Sequence, residues 1–433
     1  MIYWAPLFHF YQPPTQTPEI LMKVSNESYR PIMDVFDEFP YARATFNING
    51  VLTEMLGLYG YTDVLNRMRK LAENKQVEFT GSAKYHPILP LIPTEEMERQ
   101  IRLNHNTNRQ YLGDSYEPKG FFPPEMCYSR EIVDPIVESR HEWIILSGIA
   151  CPVGWPMDVI HEIDYSNGGI AVLFRDDILS NKISFKGVDG KGFIEHLKQL
   201  HQGEGDIYVV TAMDAETFGH HIQHWDKLFL SQVYETLTPE ADSKGVMREQ
   251  KPLADQHRKL FEYGKTSEAK EIEIVTISQL LEIFPRGQMV SPRPSSWSTS
   301  ADDIRMQNYY PLWKDRDNPV HSMQWEHLNL TMEVAHKAVE VAGSPASQEF
   351  ASIARNTLDL ALHSCQFWWA SKKPMWDINM IYRGLTLQRE VLLNAYKAVS
   401  LSGCKPETKK EYYYRVVAAR HIYGQITDYL YTD

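Results

Sequence analysis

The stretch VVTAMDAETFGHH, residues 209 to 221, runs from buried-type residues straight into two carboxylates and a histidine pair. A strand whose C-terminal end opens into a polar site reads this way, and in parallel α/β folds that end is where chemistry collects. Asp214 and Glu216 close the apolar run. A third acid, Glu125, follows GFFPP, a run ended by two prolines that should turn its carboxylate out at the same rim. Two carboxylates from different strands on one rim are what glycoside hydrolysis requires: one attacks or steadies the anomeric carbon while the other protonates the departing oxygen. Those roles need different protonation states, hence different surroundings. Position alone does not single these acids out, because acids at strand ends are common.

The elements that must hold them follow from periodicity. Strand-like runs fall at 2–8, 44–48, 77–80, 120–122, 143–146, 170–174, 207–212 and 272–276. Between most of them lie amphipathic stretches: EILMKVSNESYRPIMDVFDEF, TDVLNRMRKLAEN, TEEMERQIRLNHNTNRQYL, IVDPIVESR and GFIEHLKQLHQG. Thr94, ahead of two acids, fits a helix N-cap. This alternation implies a parallel sheet covered by helices, and its length favours a β/α barrel of about seven strands over residues 1–285. Pro and Ser cluster in 286–304, which reads as a linker or site-edge loop. From 305 to 433 the apolar spacing is helical throughout, so the C-terminal part should be an all-helical domain. No internal repeat or low-complexity segment interrupts the chain.

Bulk properties exclude several partners. The formal net charge of −12 over 433 residues disfavours a nucleic-acid surface, which usually leaves a basic footprint. Ten Trp and 24 Tyr exceed what a core alone needs, and flat rings stack on sugar faces, though most such rings are simply core. The four cysteines, Cys127, Cys151, Cys365 and Cys404, stand far apart without a CxxC pair, which points to free thiols in a reducing compartment. The opening MIYWAPLFHFYQPP reads as a first core strand rather than a signal peptide. No run approaches the roughly 18 apolar residues of a membrane span, so a soluble, cytoplasmic protein is expected.

Five segments, FHFYQPP (8–14), VEFTGSAKYHPILPLIP (77–93), GFFPPEMCYS (120–129), VVTAMDAETFGHH (209–221) and LHSCQFWWAS (362–371), resemble in order and spacing the five signature regions of glycoside hydrolase family 57. NESYRP (26–31) and IVTISQLLEIFPRG (274–287) add to the likeness. The family comprises α-amylases, 4-α-glucanotransferases, branching enzymes, amylopullulanases and α-galactosidases.

The resemblance implies an incomplete (β/α)7 barrel with a C-terminal all-helical domain, performing a retaining double displacement on an α-glucan or maltooligosaccharide with no metal or organic cofactor. By motif position Glu125 is similar to the family's nucleophile and Asp214 to its acid/base. Asp214 must then hold a proton near neutral pH, and the charge of Glu216 is one means of raising its pKa; contact with a sugar hydroxyl is the other reading of Glu216. His9, Gln12, His86 and His221 are the remaining polar candidates for substrate contact, and Trp297 and Trp368 are the stacking candidates, with Trp297 the more exposed. Two departures bear on specificity. His86 stands where several members have an acid, and Cys365 where the fifth region commonly presents an Asp. Phe122 takes the place of a tryptophan that some members carry before the nucleophile.

Two other readings remain open at this level. His220, His221 and His224, with Asp214 and His9, offer imidazoles at i and i+4 and a carboxylate, a set that suits zinc; by analogy of barrel type this would be a zinc-dependent carbohydrate hydrolase or deacetylase using His220 and His224. The HExxH glutamate is missing. A non-catalytic α-glucan-binding homologue is the third reading, against which stands the presence of both Glu125 and Asp214.

Overall fold

A computed structural model of the chain describes residues 1–432 other than 167, 202, 204 and 238–271. The segment 238–271, counted in the 1–285 barrel span, and Gln202, at the end of one expected helix, lie outside the described residues.

Apolar runs with both faces covered become parallel strands, because helices lie on the outer face of such a sheet. The strands are β1 (Ile2–Phe10), β2 (Ala44–Ile48), β3 (Val77–Gly81), β4 (Gly120–Phe121), β5 (Trp143–Ser147), β6 (Ile160–Tyr165), β7 (Gly168–Arg175), β8 (Ile207–Asp214), β9 (Ile272–Ile274) and β10 (Arg286–Val290). All nine positions of β1 are buried. The sheet order is β10-β6-β7-β5-β4-β3-β2-β1-β8, with β9 also on β1. β1 pairs with β2 through Leu7–Phe10 and with β9 through Ile2–Trp4.

The seven strands β8, β1, β2, β3, β4, β5 and β7 run parallel around the curl, the incomplete (β/α)7 barrel expected from sequence. It stays incomplete between β7 and β8. There the contact is Asp176 N–H donating to Val210 O at 2.7 Å and the Arg175 Nε–H donating to Ala212 O at 2.8 Å, in place of a ladder.

Two strands differ from the sequence expectation. β6 (IHEIDY) pairs antiparallel with β7, and β10 (RGQMV) extends the sheet beyond β6. The segment expected as a loop from 286 therefore opens with a strand. Both carry charged or exposed residues because they lie outside the barrel proper, at the sheet edge, where only part of each strand is buried.

Helix α1 (Thr94–Leu112) starts on Thr94, so Pro93 rather than Thr94 is its cap; Glu95 and Glu96 favour the positive N-terminal end. The C-terminal region is helical, with α2 (Pro319–Val341), α3 (Pro345–Ala361), α4 (Ile378–Leu401) and α5 (Pro406–Thr432). Its core is continuous with the barrel's: one apolar cluster joins Ala83, Phe121 and Ile144 to Trp325, Leu358 and Val391.

A charged network crosses the same junction. Arg99 forks onto Asp359 at 2.8 and 2.7 Å, and Arg355 Nη2 reaches Glu96 Oε2 at 2.7 Å, with His336 Nε2 2.6 Å from Glu96 Oε1. The paired geometry holds the Glu96 carboxyl at about 2 against its burial. The helical region is thus locked to the barrel helix that follows the second signature segment. Among the described residues, no helix is long and apolar enough to cross a membrane.

Candidate active site

Register brings the first residues of the site together. In the β1 ladders His9 lies opposite Asn47 of β2 on one side and Asp214 of β8 on the other. Asn47 gives its amide N–H to Thr80 Oγ1 at 2.8 Å, so its Oδ1 is left to accept from His9 Nδ1–H at 2.6 Å. That fixes the tautomer with Nε2 unprotonated while the ring is neutral. Burial favours the neutral ring and lowers its pKa, against the pull of Asp214. The His9 ring lies against Phe122 (centroids 4.8 Å) and His86 (5.0 Å), and Tyr11 stacks on His86 at 4.0 Å while staying 6.0 Å from His9. Phe122 therefore packs beside the site.

Glu125 sits one short turn beyond β4. Its φ of 58° and the 49° of Met126 place two successive side-chain-bearing residues in the left-handed region, at about 1–3 kcal/mol each. The surroundings over-determine this turn. Met126 N–H bonds Pro123 O, Cys127 N–H bonds Pro124 O, and Tyr128 and Ser295 exchange both backbone hydrogen bonds. Trp297 N–H then bonds Glu125 O. The Pro/Ser-rich segment is thus stitched onto the acid's own loop.

The carboxylate is held as firmly. Oε2 accepts from the Trp297 indole N–H at 2.9 Å and Oε1 from the Ser364 hydroxyl at 3.4 Å, with His86 Nδ1 3.5 Å from Oε1. Burial, and after it the negative charge of Asp214, push Glu125 up to about 8; the Trp297 and Ser364 hydrogen bonds act in the opposite direction.

Asp214 ends β8. Burial raises its pKa, opposed by His9 and Arg175. Arg175, at the end of β7, is only 4% exposed. It is fixed by Ala212 O, Asp177 Oδ1 at 2.7 Å and Asn181 Oδ1 at 2.9 Å, with its guanidinium over the Trp297 ring. The cation is thereby pinned where it favours ionised Asp214.

Glu216 is buried. Gln12 Nε2–H donates to its Oε1 at 2.9 Å, and the Tyr29 hydroxyl donates to the same oxygen. Burial and then the charge of Asp214 push it to about 8. Of the two sequence readings of Glu216, a charge beside Asp214 or a contact to a sugar hydroxyl, the first has a counterpart in the charge of Asp214 acting on Glu216. Tyr29 reaches it from a turn of π-helix, Ser25–Tyr29, inserted in what the sequence presents as one amphipathic helix. Gly219 is required opposite that turn, because at φ 123° a Cβ there would stand 1.7 Å from Glu27 O.

The remaining candidates fall in two groups. His9, Gln12, His86, Glu216 and Trp297 join Glu125 and Asp214 in one connected set of contacts. Trp297 is half-buried against His9 and Phe122, edge to face at 5.8 Å from each, rather than standing free in its loop. Trp368 is half-buried, packed edge-on against Trp369 at 4.8 Å and onto the core. His221 is exposed, tied to the site through its backbone N–H to Glu216 O.

His220 Nδ1 lies 2.7 Å from Glu27 Oε2. His224 is exposed with φ 63°, and residues 218–224 form turns, so the i and i+4 helix-face relation of His220 and His224 does not exist. Among the described residues, no group of three or more His, Cys, Asp or Glu side chains is arranged to hold a metal ion.

Several members of the set escaped the sequence reading. Tyr11, Tyr29 and Ser364 lie inside the quoted segments, so their places were visible but not their contacts. Ser364 also accepts or donates to His86 Nδ1 at 2.9 Å, and Cys365 Sγ is 3.5 Å from the Tyr11 hydroxyl. The site is therefore walled on one side by the C-terminal region. Arg175 had one signal, a charge ending the apolar run GGIAVLFR, the same signal that exposed Asp214.

The family model "Glycosyl hydrolase family 57" matches residues 7–282. The 4-alpha-glucanotransferase of Thermococcus litoralis is 28% identical over 308 residues, covering 69% of this chain and 42% of that protein. The alpha-amylase of Pyrococcus horikoshii is 27% identical over 215 residues, covering 49% of this chain and 33% of that protein. The chain thus spans less than half the length of these relatives. Among solved structures, the GH57-type branching enzyme from Pyrococcus horikoshii superposes with a TM-score of 0.68 at 16% identity, covering 98% of this chain and 95% of that one. The last likeness is one of fold.

Proposed function

Because the chain belongs to glycosyl hydrolase family 57, we propose that it is a retaining α-glucan hydrolase or transglycosidase acting on α-1,4-glucosidic bonds. One observation carries the reading. Asp214 ends β8 opposite His9, Glu125 follows β4 by one short turn, both are half-buried, and Glu125 lies within electrostatic reach of Asp214.

In the first step the Glu125 carboxylate bonds the anomeric carbon while Asp214 gives its proton to the departing glucosidic oxygen, leaving a glucosyl ester on Glu125. In the second, Asp214 takes a proton from water or from a sugar hydroxyl, whose oxygen displaces Glu125. Hydrolysis and transfer differ only in which acceptor arrives.

The proton inventory supports these roles. Two acids that influence each other's charge titrate as a pair. With the proton on Asp214, one of the two causes that raise Glu125 is gone and burial remains, opposed by the Trp297 and Ser364 hydrogen bonds that favour the anion. Glu216, raised by burial and then by Asp214, serves as a hydrogen-bonding wall with Gln12, His9, His86 and His221 toward sugar hydroxyls. Trp297 and Trp368 offer ring faces. The chemistry calls for no metal or organic cofactor. A cytoplasmic location belongs to the same reading, supported by four cysteines that are all free thiols.

Product analysis on amylose, maltotriose and maltopentaose tests it. A ladder of longer products means transfer, and short sugars alone mean hydrolysis. No change on any α-glucan overturns the assignment, and turnover that survives Glu125→Ala removes Glu125 from its role. A wild-type chain that binds α-glucans without turning them over would make it a non-catalytic homologue.

A further inference from the structure

We propose that the groove between the loop after β1 and helix α4 is a second binding site for an α-glucan chain, outside the catalytic rim; it rests on the α-glucan reading above. The groove is an open surface depression of about 470 Å³ lined by Thr15, Asn379, Tyr382, Arg383, Thr386 and Leu387. Its chemistry is that of a carbohydrate contact: one half-buried phenol ring ringed by hydroxyl, amide and guanidinium groups, with a single formal charge. Such a surface matches a neutral polyhydroxylated ligand with flat apolar faces.

The walls are built rather than loose. Tyr382 is backed by the Tyr423 ring at 6.5 Å and by the apolar cluster of Ile381 and Leu385. Arg383 Nη1–H donates to Thr15 O at 3.0 Å, tying the loop to the helix. Thr15 Oγ1 is buried and has no hydrogen-bond partner among the described residues. A buried hydroxyl of that kind calls for a ligand or a water.

Continuity with the catalytic rim selects the occupant. Gln16 Nε2–H donates to Gln12 Oε1 at 2.7 Å, and Gln12 in turn donates to Glu216. The loop that presents Gln12 to the site therefore presents Thr15 to the groove. On this proposal a long glucan extends from the rim past Gln12 to Tyr382, and a short maltooligosaccharide does not. The site contributes to holding long chains and leaves the chemistry on short ones unchanged.

Titration calorimetry of the full chain carrying Glu125→Gln, with maltoheptaose as probe, reads the groove without turnover. Adding Tyr382→Ala is expected to weaken maltoheptaose binding about tenfold, and Tyr382→Phe to restore it. Should Tyr382→Ala lower the melting temperature, the pair Asn379→Ala and Thr386→Ala, both exposed on α4, reports on the same groove. In the active chain the same changes leave kcat/KM on maltotriose as it was and raise KM on amylose. Maltoheptaose affinity that ignores all these substitutions, or no maltoheptaose binding at all, overturns the groove. Turnover without groove binding sinks this inference alone; groove binding without turnover of any α-glucan sinks the catalytic reading alone.

Discussion

The indole N–H of Trp297 donates to Glu125 Oε2 at 2.9 Å, and the backbone N–H of the same tryptophan donates to Glu125 O. One residue of the Pro/Ser-rich segment thus fixes both the strained turn and the charge of the proposed nucleophile. Trp297→Phe keeps a ring and removes a hydrogen bond to a charged group, worth about 1.5–3 kcal/mol. Since that bond lowers the Glu125 pKa, its loss moves the acid limb of kcat/KM to higher pH. Rate against pH for the two proteins measures the shift; an unmoved limb denies Trp297 the role.

Asp214→Asn removes the charge that raises Glu125, so Glu125 titrates below the wild-type value of about 8. The same change deletes the proposed proton donor. Turnover of glucans falls on the order of 10²–10⁴-fold, while glucosylation from a fluoride leaving group, which needs no proton, is largely kept. The comparison is kcat/KM with a maltooligosaccharide against kcat/KM with a maltosyl fluoride, which reads the glucosylation step alone. Equal losses on both would contradict the acid role.

Glu216 carries a stability cost with a defined sign. Its pKa rises from 4.5 in the unfolded chain to about 8 in the folded one. The protonated form is the one the fold prefers, so stability is intact below pH 4.5 and is lost as pH rises through 8. Glu216→Gln keeps an oxygen for Gln12 and Tyr29 and abolishes that loss. Its melting temperature should exceed the wild type's by a few degrees at pH 8.5 and match it at pH 4.5, as scanning calorimetry would show.

The junction between barrel and helical region has the opposite sign. Glu96 is held at about 2 against 4.5 when unfolded, so its contribution is present above pH 4.5 and is lost as pH falls through 2. Arg355→Ala leaves the buried Glu96 with His336 as its remaining partner while Asp359 keeps Arg99, a loss of up to about 3 kcal/mol. Urea denaturation at pH 7 reads this cost, and the gap between variant and wild type narrows as pH drops below 4.5.

What sequence could and could not disclose follows from burial. β1, β2, β5 and β8 are buried nearly throughout, so their apolar runs stand out and their polar ends, His9 and Asp214, stand out with them. β6 and β10 lie at the sheet edge, bury only part of their residues, and gave no such run. Glu125 was legible because two prolines end its strand. Its partners were not, because Ser364 is 239 positions away and Trp297 is 172, and nothing local encodes such meetings. The π-turn at Ser25–Tyr29 was hidden for a related reason: inserting one extra residue per turn keeps the amphipathic pattern on either side while swinging Tyr29 onto Glu216. The histidines of 220–224 show the reverse error, where helix spacing in the sequence meets a chain folded as turns.

The proposed covalent step on Glu125 is open to a direct measurement. The full chain is incubated with a 5-fluoro-α-glucosyl fluoride, which forms the glucosyl ester quickly and releases it slowly, then digested and sequenced by mass spectrometry. A single glucosyl adduct on Glu125, absent after denaturation before labelling, is the expected result. An adduct on Asp214 or Glu216, or none while amylose is still being cleaved to β-anomers, would contradict a double displacement through Glu125.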